Sequence, residues 1–142
     1  MIIDSQLLFS DAQAITAAAA STNSVDFGAT KDLGLGENLF IAINVDVAFT
    51  DGGSDSTLTV AIQTDTDSAF GSPVTESIVT IPALAPIGAA YFVGIDPGVI
   101  AERYVRLYYT PNNGNLTTGS LTATIVKDIQ KQVIYPKGYV IV

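Results

Sequence analysis

The stretch AERYVRLYYTP, Ala101 to Pro111, alternates its side chains with a period of two. In an extended chain, successive side chains point to opposite faces. Arg103, Val105, Leu107 and Tyr109 therefore share one face, and Tyr104, Arg106 and Tyr108 share the other. Val105 and Leu107 belong in a core, which leaves Tyr-Arg-Tyr outside. That is a concentration of such residues, because the whole chain has only six Lys and Arg and six Tyr. Three readings compete: an ordinary sheet face with Arg106 lying over its flanking tyrosines, a protein–protein interface, where Tyr and Arg are enriched, or a stacking platform for single-stranded nucleic acid, which needs a basic groove.

The rest of the chain reads the same way. ENLFIAINVDVAFT (37–50) places Leu39, Ile41, Ile43, Val45, Val47 and Phe49 on one side of a long strand. DGGSDS (51–56) is a turn cluster, and STLTVAIQT (56–64) alternates again, so the two runs are expected to form a hairpin. DTDSAFGSP is a loop, VTESIVTI a strand, PALAPIGA a connector, AYFVGI a short strand and DPG a tight turn. ERYVRLYYT and SLTATIVKD flank PNNGN and predict a second hairpin. The only helical candidate is Ser10 to Ala20, with Ser10 as its cap; the same residues fit an extended arm. Six or seven short strands at regular spacing point to an antiparallel sandwich or barrel. The chain reads as one domain, 1–142, with 1–25 a candidate N-terminal arm and 129–142 a candidate C-terminal arm.

Both ends carry apolar residues: Ile2, Ile3, Leu7, Leu8 and Phe9 near the start, and VIYPKGYVIV, with Tyr135 and Tyr139, at the finish. Chain ends of a monomer are usually polar and frayed. These segments are therefore strands tied into the sheet or arms that dock on a neighbour. With Tyr104, Arg106 and Tyr108 they make up the interface candidates.

Composition removes most chemistry. The chain has no His and no Cys, which excludes imidazole catalysis, thiolates, disulfides and the usual zinc sites. A net charge of −8 repels phosphate backbones, so nucleic acid is not an expected partner and an Sm-like RNA binder is disfavoured. Only 14% of residues are charged, which suits a chain that hides surface in an assembly. No membrane association is expected: the uncharged run Ser77 to Ile95 is interrupted by Pro82, Pro86, Gly88 and Gly94. The start lacks a basic region and carries Asp4 and Asp11, unlike a signal peptide.

GLGENL (34–39) begins like a dinucleotide fingerprint, but Leu39 stands where the third glycine belongs and the segment leads into a strand. Asp51 with Asp55 and Asp65 with Asp67 lie in loops among Ser, Thr and Gly, and read first as turn formers. A calcium site of oxygen ligands is the next reading, although the spacing fits no EF-hand loop. Asn115 opens a formal glycosylation triplet, NLT, in what reads as a turn. No enzyme activity, cofactor or small-molecule substrate is expected.

Three stretches, MIIDSQLLFSDAQAITAAAAST (1–22), AIQTDTDSAFGSPV (61–74) and ERYVRLYYTPNNGNLTTGSLTATIVKD (102–128), resemble the small cement, or decoration, proteins of tailed-bacteriophage capsids, of the Bordetella podophage type. The resemblance implies an all-β, jelly-roll-type antiparallel sandwich, with a small closed barrel of Sm or OB type as the alternative. It also implies a homo-oligomer made in the host cytoplasm that binds the outside of the virion shell and bridges neighbouring major capsid subunits without a cofactor. A head–tail or tail accessory protein and a carbohydrate- or calcium-binding β-module are the competing expectations.

Overall fold

The computed structural model describes residues 4–28, 39–95 and 102–127. A single 3-10 turn, Ser5–Leu7, is capped by the Asp4 side chain, which accepts from Gln6 N at 2.9 Å. Among the described residues nine strands follow: β1 Leu8–Ala14, β2 Ala19–Ala20, β3 Val25–Asp26, β4 Leu39–Thr50, β5 Thr57–Asp65, β6 Val74–Ile81, β7 Ala90–Ile95, β8 Tyr104–Asn112 and β9 Thr118–Val126. They form two antiparallel sheets. One has the order β1-β9-β4-β7; the other runs β2-β8-β5-β6, with β3 also on β8.

The pairing is nested. The first strand meets the last, β2 and β3 meet β8, β4 meets β7, and β5 meets β6. A long antiparallel ribbon rolled into two facing sheets has this order, so the fold is a jelly-roll sandwich. A closed barrel is not formed among the described residues, because β1 and β7 end one sheet and β2 and β6 the other.

Both expected hairpins are therefore corrected. β4 pairs with β7 and β9 while β5 pairs with β6 and β8, and β8 and β9 likewise sit in different sheets. DGGSDS and the PNNGN segment carry the chain across the sandwich instead of folding it back within a sheet. Ser56 Oγ reaches both Asp51 Oδ2, at 3.0 Å, and the carbonyl of Asn113, at 3.4 Å, so the two crossings lie together at one end. The hairpin that does form, β5–β6, closes through the 66–73 loop.

The helical expectation for Ser10 to Ala20 also gives way. Most of that stretch is β1 and β2, paired with β9 and β8. The alanines favour a helix only weakly, and ladder bonds together with burial of Phe9 and Ile15 override that preference. The arm-or-strand question is answered for Leu8 to Ala14: it is a sheet strand. Residues 129–142 lie outside the described residues.

The core is the space between the sheets. From one side it receives Phe9, Ile41, Ile43, Val45, Phe49, Leu121, Ala123 and Ile125, and from the other Leu58, Val60, Ile62, Val105, Leu107 and Tyr109. The alternation read in AERYVRLYYTP holds: Val105, Leu107 and Tyr109 are fully buried, and Tyr104, Arg106 and Tyr108 are half-buried on the outside. In β4 the alternation breaks. Register shifts on either side of Val47 turn that residue outward, 50% exposed, and return Phe49 to the core.

One polar clasp crosses the core. Ser10 Oγ donates to Gln13 Oε1 at 2.7 Å, so the 2.7 Å contact between Ser10 Oγ and the Tyr109 hydroxyl has Tyr109 as donor. Gln13 in turn donates to the carbonyl of Ala20 and accepts from Thr22 N. Burial pushes the Tyr109 phenol well above its ordinary range; the bond to Ser10 acts weakly in the opposite sense.

Gly119 sits at φ +141, where an added Cβ would fall inside the Phe49 ring. Gly119→Ala should therefore destabilise the fold by about 3 kcal/mol through overpacking and backbone strain. Denaturant unfolding should show a lower midpoint with an unchanged slope.

Candidate protein-interaction face

The Tyr-Arg-Tyr face lies on the outer surface of the β2-β8-β5-β6 sheet. Across β5, Tyr104 stands opposite Asp65, Arg106 opposite Gln63 and Tyr108 opposite Ala61. Gln63 and Ala61 in turn stand opposite Thr75 and Ser77 of β6. On the other side of β8, Tyr108 pairs with Ala20 and Tyr104 with Asp26. Further along, Asn112 Nδ2 donates to Thr59 Oγ1 at 2.8 Å and to Thr57 Oγ1 at 3.2 Å. The face is thus polar, with small neutral residues beside Tyr108 and charged ones, Asp26, Asp65 and Arg106, beside Tyr104.

Arg106 does not lie over the tyrosines. Its guanidinium sits 4.1 Å from the centroid of the Phe70 ring, and its Nε donates to Gln63 Oε1 at 2.8 Å. Phe70 is a buried residue at φ +52 in the 66–73 loop, a conformation that costs a non-glycine residue about 1 kcal/mol or more. Asp65 holds this loop: its carboxylate accepts from Asp67 N at 3.0 Å and from Ser72 N at 3.1 Å. Those backbone hydrogen bonds keep the Asp65 carboxyl below its usual range, against a smaller opposing effect of desolvation. The loop therefore folds over one end of the sheet, and Arg106 is the stacking partner that closes it.

The arginine over a tyrosine is Arg103, 4.9 Å from the Tyr104 centroid. It also makes a two-pronged ion pair with Asp26, at 2.8 and 2.9 Å. The hydrogen bond from Arg103, then that from Gly28 N, hold Asp26 at about 2. Both cations of this stretch are spoken for, which leaves Tyr104 and Tyr108 as the presented groups.

The N-terminal candidates belong to the fold itself. Phe9 is fully buried, Leu7 packs against the core, its carbonyl accepting from Thr124 Oγ1 at 3.1 Å, and Leu8 is half-buried at the start of β1. Their apolar character is explained by the sandwich. Ile2, Ile3, Tyr135 and Tyr139 lie outside the described residues. Sequence reasoning passed over Phe70, whose only signal was a lone aromatic ring in a Ser- and Gly-rich loop.

Asp51, Asp65 and Asp67 are turn formers, as read, each carboxylate accepting from backbone amides of its own loop. Desolvation pushes the Asp51 carboxyl up, but the Ser56 hydroxyl and the amides of Asp55, Gly53 and Ser56 outweigh it and leave it lowered. Its Oδ1 has no hydrogen-bond partner among the described residues. Among those residues no three carboxylates converge as a metal site would require. Asn115 is exposed in the loop between β8 and β9. No described helix is long and apolar enough to cross a membrane.

The family model named Bbp16 matches residues 9–125, from Phe9 in β1 to Ile125 in β9. The chain belongs to the Bbp16 family. The name points to a protein of a Bordetella phage. The match spans the nested strands and includes Tyr104, Arg106 and Tyr108. No curated protein matches the chain.

Arg106→Ala should leave the sandwich folded, with a stability loss of about 1 kcal/mol, while limited proteolysis inside 66–73 rises severalfold. Because the Asp65 carboxyl is lowered, its hold on the loop is complete above the ordinary carboxylate range and is lost as pH falls through its own value. An NMR titration of the Asp65 side-chain carbon should therefore show a midpoint below the ordinary 3.8.

Proposed function

We propose that this chain is a virion structural protein that binds the outside of a phage head and cements neighbouring major capsid subunits, without catalysis or cofactor. Membership of the Bbp16 family carries this reading, since the matched region contains one of the three stretches that resemble capsid cement proteins whole and most of the other two. The physics of the fold is in keeping with it. A cement protein adds contacts that must break before shell subunits separate, so it needs a stiff scaffold. Each copy that touches two subunits makes its second contact intramolecularly, which multiplies a modest affinity. A charge of −8 keeps the chain off the packaged genome.

Tyr104 and Tyr108 are the residues proposed to touch the capsid. They are half-buried rings, Tyr108 among small neutral side chains and Tyr104 between two carboxylates already bonded to Arg103 and to the 66–73 loop, which suits anchors that fill pockets.

Heads assembled without this chain should take up the purified protein to a ratio of about one per major capsid subunit and should then resist thermal loss of DNA. A few copies per particle would instead indicate a head–tail or tail accessory protein. No uptake would overturn the proposal and favour a ligand-binding module. Tyr104→Ala with Tyr108→Ala should weaken uptake at least about tenfold, in line with the loss of interface anchors, and leave the melting temperature of the free protein nearly unchanged. A large loss of melting temperature would assign these rings to the fold.

A further inference from the structure

The two loops that carry the chain between the sheets meet at Asn113. Its carbonyl lies 3.4 Å from Ser56 Oγ, which also donates to Asp51 Oδ2, and its Nδ2 donates to the Asp55 carbonyl at 3.4 Å. Both contacts of Asn113 are longer than a strong hydrogen bond. The residue is exposed and sits at φ +65, a left-handed conformation that asparagine tolerates better than most side chains. Gly114 follows, also exposed, at φ +120.

The side chain of an asparagine is open to attack by the backbone nitrogen of the next residue, because the new bond closes a five-membered ring. Three conditions favour the attack: no side chain shields that nitrogen, no hydrogen bond occupies it, and the amide group is free to turn. Asn113 meets all three. It is the only asparagine in the chain followed by glycine, and Gly114 N donates to no group among the described residues. The other described asparagines fail at least one condition. Asn44 precedes Val45, whose nitrogen donates to the Ala89 carbonyl at 2.9 Å, and Asn115 precedes Leu116, whose nitrogen donates to the Thr16 carbonyl at 2.9 Å. The side chain of Asn112 is held by Thr57 and Thr59, and that of Asn23 by the Leu8 carbonyl. Asp51 also precedes a glycine, Gly52. Its carboxylate accepts from Ser56 Oγ and from the amides of Gly53, Asp55 and Ser56, which keep it in place and ionised.

We infer that Asn113 is a site of spontaneous deamidation in the folded protein, and that its conversion slackens the join between the two crossings. The Gly114 nitrogen gives up its proton to hydroxide and bonds to Asn113 Cγ. The side-chain nitrogen takes a proton from water and leaves as ammonia, which regenerates the hydroxide. A second water opens the ring at one carbonyl or the other, to aspartate or to isoaspartate. Either product replaces a donor with a carboxylate. The bond to the Asp55 carbonyl is then lost, and the new charge stands close to Asp51 and Asp55 on a chain already at −8. Isoaspartate also adds a methylene to the backbone, which moves the residue's carbonyl away from Ser56. This inference stands apart from the capsid reading, since it needs only the folded chain and water.

The full chain, kept folded in warm, mildly alkaline buffer, should be sampled over time by peptide mapping with mass spectrometry. Asn113 should convert severalfold faster than Asn23, Asn44, Asn112 and Asn115, as fast as in the urea-unfolded chain, and with isoaspartate among its products. Isomerisation at Asp51 should stay slower in the folded chain than in the unfolded one. Asn113→Gly, which places at this positive φ the residue most at ease there, should abolish conversion with an unchanged far-UV CD spectrum. Converted chain, separated by its added negative charge, should be cut more readily within 51–56 and 112–117 and should melt at a lower temperature than fresh chain. Asn113→Asp should reproduce the lower melting temperature. Conversion in the unfolded chain without conversion in the folded one overturns the site. A converted chain that melts and digests like the fresh one overturns the slackening.

Discussion

Leu8 lies across from Thr124 and Ala14 across from Ser120, so the strand that opens the described chain is held by the one that closes it. Every other pairing is nested inside that contact. Because β9 takes β1 on one side and β4 on the other, it is an inner strand of its sheet, and the sheet has no continuous hydrogen-bond network until β9 is in place. The facing sheet depends on the same arrangement through β8, which collects β2, β3 and β5. Contacts so distant in sequence cost loop-closure entropy before burial offsets it, so a fold of this kind forms cooperatively or not at all.

The clasp from Tyr109 through Ser10 to Gln13 shows how polar groups fit into such a core. Tyr109 comes from one sheet and Ser10 from the other, and the hydroxyl pair fixes their mutual position where apolar contact alone would permit sliding. Gln13 then reaches the β2 region, so one chain of hydrogen bonds, buried at Tyr109 and open to solvent at Thr22, ties β1 to β8 and to β2. The outer face of the β8 sheet uses the opposite arrangement. Its arginines are each engaged, Arg103 with Asp26 and Arg106 with Phe70 and Gln63, and the tyrosines stand beside them. Charges paired in this way need less further desolvation than free ones when a surface is covered.

From β4 onward strand identity was legible in the sequence, strand partnership was not. The period-two pattern of AERYVRLYYTP and of AINVD named the buried side correctly, because alternation is a local consequence of extended backbone. Nothing local distinguishes a turn that folds a strand back from one that carries it to the facing sheet, so DGGSDS and PNNGN were read as hairpin turns. The β4 pattern misled at Val47 for a related reason, since the bulges there are set by Gly119 and Ser120 on a strand about seventy residues away, a long-range match of the kind that fixes register. On the face, the outward direction of Tyr104, Arg106 and Tyr108 was readable. The stacking of Arg106 on Phe70 was not, because it needs the loop conformation that Asp65 imposes.

The position of β9 has a consequence for how the chain is made. On a ribosome β4 emerges early, with long apolar sides, and its neighbour β9 emerges some eighty residues later. Until then one flank of β4 stands open, and a nascent chain has neither of the sheets in finished form. The N-terminal half must therefore wait, and folding follows translation of the ninth strand. Crowded polysomes place many such waiting strands side by side. The narrowest step in the supply of folded protein is then the interval between translation of the fourth strand and the ninth.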